Sequence, residues 1–90
     1  MDYLHSELKI GDNEVVHVTL AGHSANVLLL DDANFEKYKK GEPFAYHGGF
    51  YSKSPAILKP PRSGEWHLIV DLAGKPGQVS ATVAVRPASG

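Results

Sequence analysis

The sequence predicts an all-β fold with one short helix: an antiparallel β-sandwich of about seven strands, jelly-roll-like or Ig-like. Three observations predict it. Apolar residues recur at every second position in several short segments, which is the period of a strand with one buried face. Nine glycines and six prolines in 90 residues punctuate the intervals between those segments, as turns do in an antiparallel sandwich. The period lengthens toward that of a helix in one place only, after Asp31.

From Tyr3 to Ile10 one face carries Leu4, Ser6, Leu8 and Ile10 and the other Tyr3, His5, Glu7 and Lys9. Gly11-Asp12-Asn13 reads as a turn. Val16, Val18 and Leu20 alternate with Val15, His17 and Thr19, a half-buried strand broken at Ala21-Gly22-His23-Ser24. Asn26 to Leu30 is a short apolar run without a period, consistent with a central strand. Which of Leu28 and Leu29 faces the core is left open by that run.

The spacing predicts a helix over Ala33 to Lys40. Asp31 or Asp32 caps its start, because a short carboxylate accepts the free amide hydrogens of a first turn. Phe35 and Tyr38 share a face, Lys37, Lys39 and Lys40 suit the negative end of the helix dipole, and Gly41 closes it. Phe44, Tyr46 and Gly48-Gly49 predict a strand running into a bend or bulge. Ala56 to Leu58 is a short strand ended by Pro60-Pro61, and Arg62-Ser63-Gly64 is a turn. Glu65 to Leu72 is the clearest strand, with Trp66, Leu68, Val70 and Leu72 inward and His67, Ile69 and Asp71 outward. Ala73 to Gly77 is a loop. Gln78 to Arg86 points Val79, Ala81, Val83 and Val85 inward, and residues 87–90 read as a frayed tail.

Ninety residues make one domain, 1–90. A composition of 42% hydrophobic and 21% charged residues is that of a chain that buries a core. The absence of cysteine excludes disulfides, thiolate metal sites and a Cys nucleophile. The longest aliphatic run, Val27 to Leu30, falls far short of the ~20 residues a membrane helix needs. With no basic-then-apolar leader, the expected location is the cytoplasm, without a membrane partner.

Ala25-Asn26-Val27, Leu30-Asp31, Asn34-Phe35, Tyr38 and Gly41 form a distinctive series. Tyr46, Gly48-Gly49, Ser54-Pro55, Ser63-Gly64, Trp66-His67 and Val70-Asp71-Leu72 continue it. On these residues, from about Leu4 to Pro87, the chain resembles the small bacterial family of domains of unknown function numbered eighteen eighty-three. The resemblance implies a compact all-β domain, in some relatives attached to a signalling domain of the Toll/interleukin-receptor type. These 90 residues hold no such domain, so an association would be in trans. The segment Gly64 to Leu72 is also similar to small jelly-roll accessory domains of secreted proteases. Neither likeness brings catalytic residues or a cofactor with it, and no cofactor is expected.

Charge is unevenly distributed. Residues 1–36 hold one lysine against seven acids, whereas 37–62 hold five lysines and one arginine against one glutamate. That basic segment also holds five of the eight aromatic residues. Basic groups interleaved with aromatic rings suit stacking on bases, sugar faces or a partner's side chains. The expected function is therefore a non-catalytic binding or interaction module. Its surface comprises Lys37, Tyr38, Lys39, Lys40, Tyr46, His47, Phe50, Tyr51 and Lys53, and its ligand is a protein, a glycan or a nucleotide. A net charge of -1 weakens the case for nucleic acid, and a core role for the rings with acid–base pairing across the sheet is the plainer account.

Five histidines, His5, His17, His23, His47 and His67, offer an alternative. His17, His67 and Asp71 stand on outward faces and would bind a metal if their strands were neighbours. No His-x-x-x-His, nor His-x-His on one strand, supports that grouping, and solvated histidines on a polar face are the simpler reading. Serines are plentiful, but none sits in a Gly-x-Ser-x-Gly elbow, so the chain is not expected to be an enzyme. Asp31, Asp32 and Asn34 lack the EF-hand spacing and read as a helix cap. A homo-oligomer joined through an edge strand is a third alternative.

Overall fold

The computed structural model describes residues 3–22, 24–72 and 77–88. Seven strands and one helix follow one another as β1 (Tyr3–Ile10), β2 (Glu14–Gly22), β3 (Ala25–Leu30), α1 (Asp32–Lys40), β4 (His47–Tyr51), β5 (Ala56–Leu58), β6 (Gly64–Asp71) and β7 (Val79–Pro87). They form two antiparallel sheets. One is four-stranded in the order β1-β6-β3-β4, the other three-stranded in the order β5-β2-β7. The architecture is the sandwich that the alternating pattern predicts.

The core between the sheets is built from the inward set: Ile10, Val16, Val18, Val27, Leu29, Leu58, Trp66, Leu68 and Val70. Trp66 fits there because its indole N–H donates to the Arg62 carbonyl at 3.1 Å, which spares a buried donor from going unpaired. Leu29 faces this core. Leu28 faces the opposite way, yet it too is buried. It belongs to a second apolar layer with Leu30, Ile69, Phe35 and Tyr38, on the outer face of the four-stranded sheet beneath α1. The run Asn26 to Leu30 lacks a period because both of its faces are covered.

α1 follows the local signals. The Asp31 side chain accepts from the Asn34 amide at 2.9 Å. Gly41 adopts φ 76°, and its N–H and that of Glu42 turn back to the carbonyls of Tyr38 and Lys37, a closure that favours glycine. The helix starts one residue earlier than the sequence predicts, at Asp32.

Three expectations change. Phe44 and Tyr46 precede β4 rather than forming it. Phe44 packs edge-on against Tyr38, ring centroids 5.3 Å apart, and touches Tyr46 on its other side, so the pull of the helix surface replaces strand pairing there. The glycines lie inside β4 instead, and Gly48 at φ 125° is needed because a Cβ would come 2.1 Å from the Val27 carbonyl oxygen. The inward residues of β7 are only half-buried, and inward-facing Leu4 on β1 is 44% exposed. Pro87 ends β7, and the Ala88 N–H donates to the Asn13 carbonyl at 2.8 Å, which ties down the start of the expected tail. Its last two residues, and residues 73–76 of the expected loop, lie outside the described residues.

Candidate functional site

β6 is central in its sheet, so both its faces are covered, and every residue from Trp66 to Asp71 is buried. His67, Ile69 and Asp71 do point away from the inter-sheet core, as alternation requires. They meet the helix rather than water, which corrects the expectation of solvated histidines at His67. Periodicity reports which face a side chain takes, not what lies over it.

Two polar clusters hold this face to its cover. In the first, the Tyr38 hydroxyl donates to Asp71 Oδ2 at 2.7 Å and the Asn26 amide donates to Asp71 Oδ1 at 3.0 Å. Asn26 and Asp71 are register partners on β3 and β6. Burial and the neighbouring carboxylate push the Tyr38 hydroxyl well above its ordinary pKa, so it stays a donor. In the second cluster, His5 Nε2 lies 2.9 Å from His67 Nδ1, and His67 Nε2 meets Asp32 Oδ1. Phe35 stacks on both imidazoles, with centroids 4.3 Å away in each case. Burial, and then the neighbouring His67, lower the pKa of His5 from 6.5.

The register explains the second cluster. Glu7 stands directly opposite His67 in the β1–β6 pair, and His5 is opposite Ile69, one diagonal step away. Side chains so placed on one face reach one another. His5, Glu7 and His67 each offer a ligand atom, and these atoms all lie within 4.8 Å of one another. A cleft of about 240 Å³ lies alongside, with Glu7, Asp32 and His67 among its lining.

The grouping of His17 with His67 and Asp71 is not what the fold assembles. His17 is on β2 in the three-stranded sheet, opposite Ile57 and Ala84, on the far side of the sandwich from β6. The residues that do meet His67 come from β1 and from the first turn of α1. His5-x-Glu7, on one face of a predicted strand, was the visible part of the signal. The adjacency of β1 and β6 was the missing part. Asp31 caps the helix as expected, while Asp32 serves His67. Asn34 does more than cap, since its Oδ1 accepts from the Ala45 amide at 2.8 Å and pins the following loop to the helix start. His23 lies outside the described residues.

The predicted aromatic and basic surface divides in two. Tyr46 and Phe50 are 49% and 60% exposed. Lys37, Lys40, His47 and Lys53 are exposed as well. Tyr38 is buried, and Tyr51 turns inward against the inter-sheet core, so both support this surface from beneath rather than presenting a ring. Lys39 is exposed, but it pairs with Glu36 at 2.6 Å and lies 4.7 Å over the Phe35 ring. Arg62 reaches across to Asp31 at 3.6 Å, an acid–base pair of the expected sense.

The model of the family described as "Domain of unknown function (DUF1883)" matches residues 1–89. The chain belongs to this family. Both the polar clusters and the exposed rings of this DUF1883 domain lie within the matched span. No curated protein and no solved structure shows a significant match to the chain. No helix among the described residues is long and apolar enough to cross a membrane.

Proposed function

We propose that this DUF1883 domain is a non-catalytic recognition module that docks an extended, acidic segment of a protein partner along β4. The observation that carries the reading is the exposure of Tyr46 and Phe50, at 49% and 60%. Large rings left in water beside a buried aromatic layer are typical of contact surfaces. β4 is also an edge strand, whose free backbone groups accept an added strand. Lys37, Lys40 and Lys53 stand in solvent on the segments that flank it and favour an acidic partner. A Toll/interleukin-receptor-type signalling domain, supplied in trans, is the first natural partner to try.

The test is amide-shift mapping of isotope-labelled domain. A short peptide of alternating glutamate and valine is added first, then single-stranded oligonucleotides, then a glycan panel. The expected result is a set of shifts centred on residues 46–53 with the peptide, lost in the Tyr46→Ala/Phe50→Ala double variant. Shifts of equal size in the double variant, or shifts confined to the opposite sheet, overturn the reading. A response to oligonucleotides or glycans but not to the peptide replaces the protein partner with that ligand class.

A further inference from the structure

The cluster of His5, Glu7 and His67 is independent of the β4 surface, and three features set it apart from histidines that merely touch. Its donor atoms come from two hydrogen-bonded strands in fixed register, so their convergence is a property of the fold. One imidazole is oriented from behind. The Asp32 carboxylate accepts from His67 Nε2–H, which turns the other ring nitrogen, Nδ1, toward His5. A carboxylate behind a histidine is the usual support for a metal-binding imidazole, because it fixes the tautomer and raises the basicity of the ligating nitrogen. Finally, the Phe35 ring lies parallel to both imidazoles, within 24° and 12°, and fixes their planes.

We propose that His5 Nε2, the Glu7 carboxylate and His67 Nδ1 form a binding site for a zinc-class divalent metal ion, with Asp32 as the carboxylate that positions His67.

Two nitrogens and one carboxylate suit zinc and its neighbours, whereas calcium and magnesium take oxygen sets. Around a tetrahedral ion with bonds near 2.0–2.1 Å, ligand atoms sit roughly 3.3 Å apart. The two imidazole nitrogens, at 2.9 Å, therefore open by a few tenths of an ångström. Glu7, exposed and flexible, swings in from within 4.8 Å. The proton now shared between the rings moves to His5 Nδ1 or leaves, and the ion takes its place. Three protein ligands leave a fourth coordination position, beside the cleft lined by Glu7, Asp32 and His67.

Zinc titration of untagged, chelator-washed protein, followed by calorimetry and by the histidine nitrogen shifts, tests the site. His67 is buried, so its removal risks the fold. The decisive variants are therefore His5→Ala and Glu7→Gln, both at exposed positions. The expected result is one equivalent bound, with the largest shifts at His5 and His67. Affinity falls by about tenfold or more in both variants, and by about 10–100-fold in Asp32→Asn. Zinc raises the melting temperature of the wild type but not of His5→Ala, and His17→Ala binds as the wild type does. Uptake that is unchanged in His5→Ala, shifts centred on His17 or His47, or no uptake at all overturns the proposal.

Discussion

The two sheets of this domain share a core but differ on their outer faces, and the difference locates what is specific about the molecule. On the four-stranded sheet, the outward residues of β6 and β3 are covered by α1. Ile69 and Leu30 are 0% exposed, and Asp71 is 4% exposed. On the three-stranded sheet, β2 and β5 turn out His17, Thr19 and Ile57, and Ile57 is 54% exposed. One face has become a second core with polar connections through it. The other is open to solvent at Thr19 and Ile57, with only Val15 of the outward β2 residues buried. Covering a face costs polar groups their water, so each buried one needs a partner. Asp71 has Tyr38 and Asn26, and His67 has Asp32 and His5. The candidate metal site is thus a by-product of how the sheet is covered, and it sits where that cover begins.

The sharpest break in the comparison is a pair of isoleucines. Ile69→Ala opens a cavity beneath the helix and is expected to cost about 2–5 kcal/mol. Ile57→Ala, on the bare face, is expected to stay within about 0.5 kcal/mol. Urea denaturation of the two variants checks this. Equal losses would mean that the helix contributes no second core, and that the contrast between the faces is one of shape alone.

A smaller effect separates the polar groups. Tyr38→Phe removes the hydroxyl that donates to Asp71 at 2.7 Å and so takes one hydrogen bond from a buried carboxylate, at an expected cost of about 1–3 kcal/mol. Thr19→Ala, at an exposed position facing Thr82 across β2 and β7, removes a solvated hydroxyl and is expected to cost about 0.2–1 kcal/mol. The same denaturation series reads both. A Tyr38→Phe loss no larger than that of Thr19→Ala would show that the phenol's hydrogen bond is not what fastens the cover over Asp71.

Much of the sandwich was legible because its information is local. Alternation from Trp66 to Leu72 named the inward side chains, and Asp31 and Gly41 marked the helix ends within a residue. Three things were not local. The burial of His67 and Asp71 depends on where the helix lies after the chain has turned. The meeting of His5 and Glu7 with His67 depends on β1 pairing with β6, strands separated by most of the chain. The displacement of Phe44 from β4 depends on a packing partner, Tyr38, that no pattern in its own segment reveals. Sequence period assigns faces, whereas strand order decides which faces meet. For the same reason five histidines could be named as a candidate set, while the contact between His5 and His67 could not be picked out.

The smallest expected effect concerns the end of α1 that fastens the cover. The Asn34 amide donates to Asp31 Oδ1, and this hydrogen bond, with the nearby Arg62 guanidinium as a lesser cause, holds the Asp31 carboxyl below its ordinary 3.8. A carboxyl whose pKa is lower folded than unfolded leaves the native state with fewer bound protons. Its contribution to stability is therefore full above the unfolded pKa and is lost as pH falls from about 4 through the folded value. Asp31→Ala removes the cap, at an expected cost of about 1 kcal/mol at neutral pH. The gap from wild type should narrow as the pH is taken below 4. Asp31→Asn keeps a capping oxygen without a titrating group, so it should lose little at neutral pH and show a flatter acid limb. A gap between wild type and Asp31→Ala that is the same at pH 7 and pH 3 would mean that the ionised carboxylate does not hold the helix start. The cover would then be fastened by Asn34 and its hydrogen bond to the Ala45 amide instead.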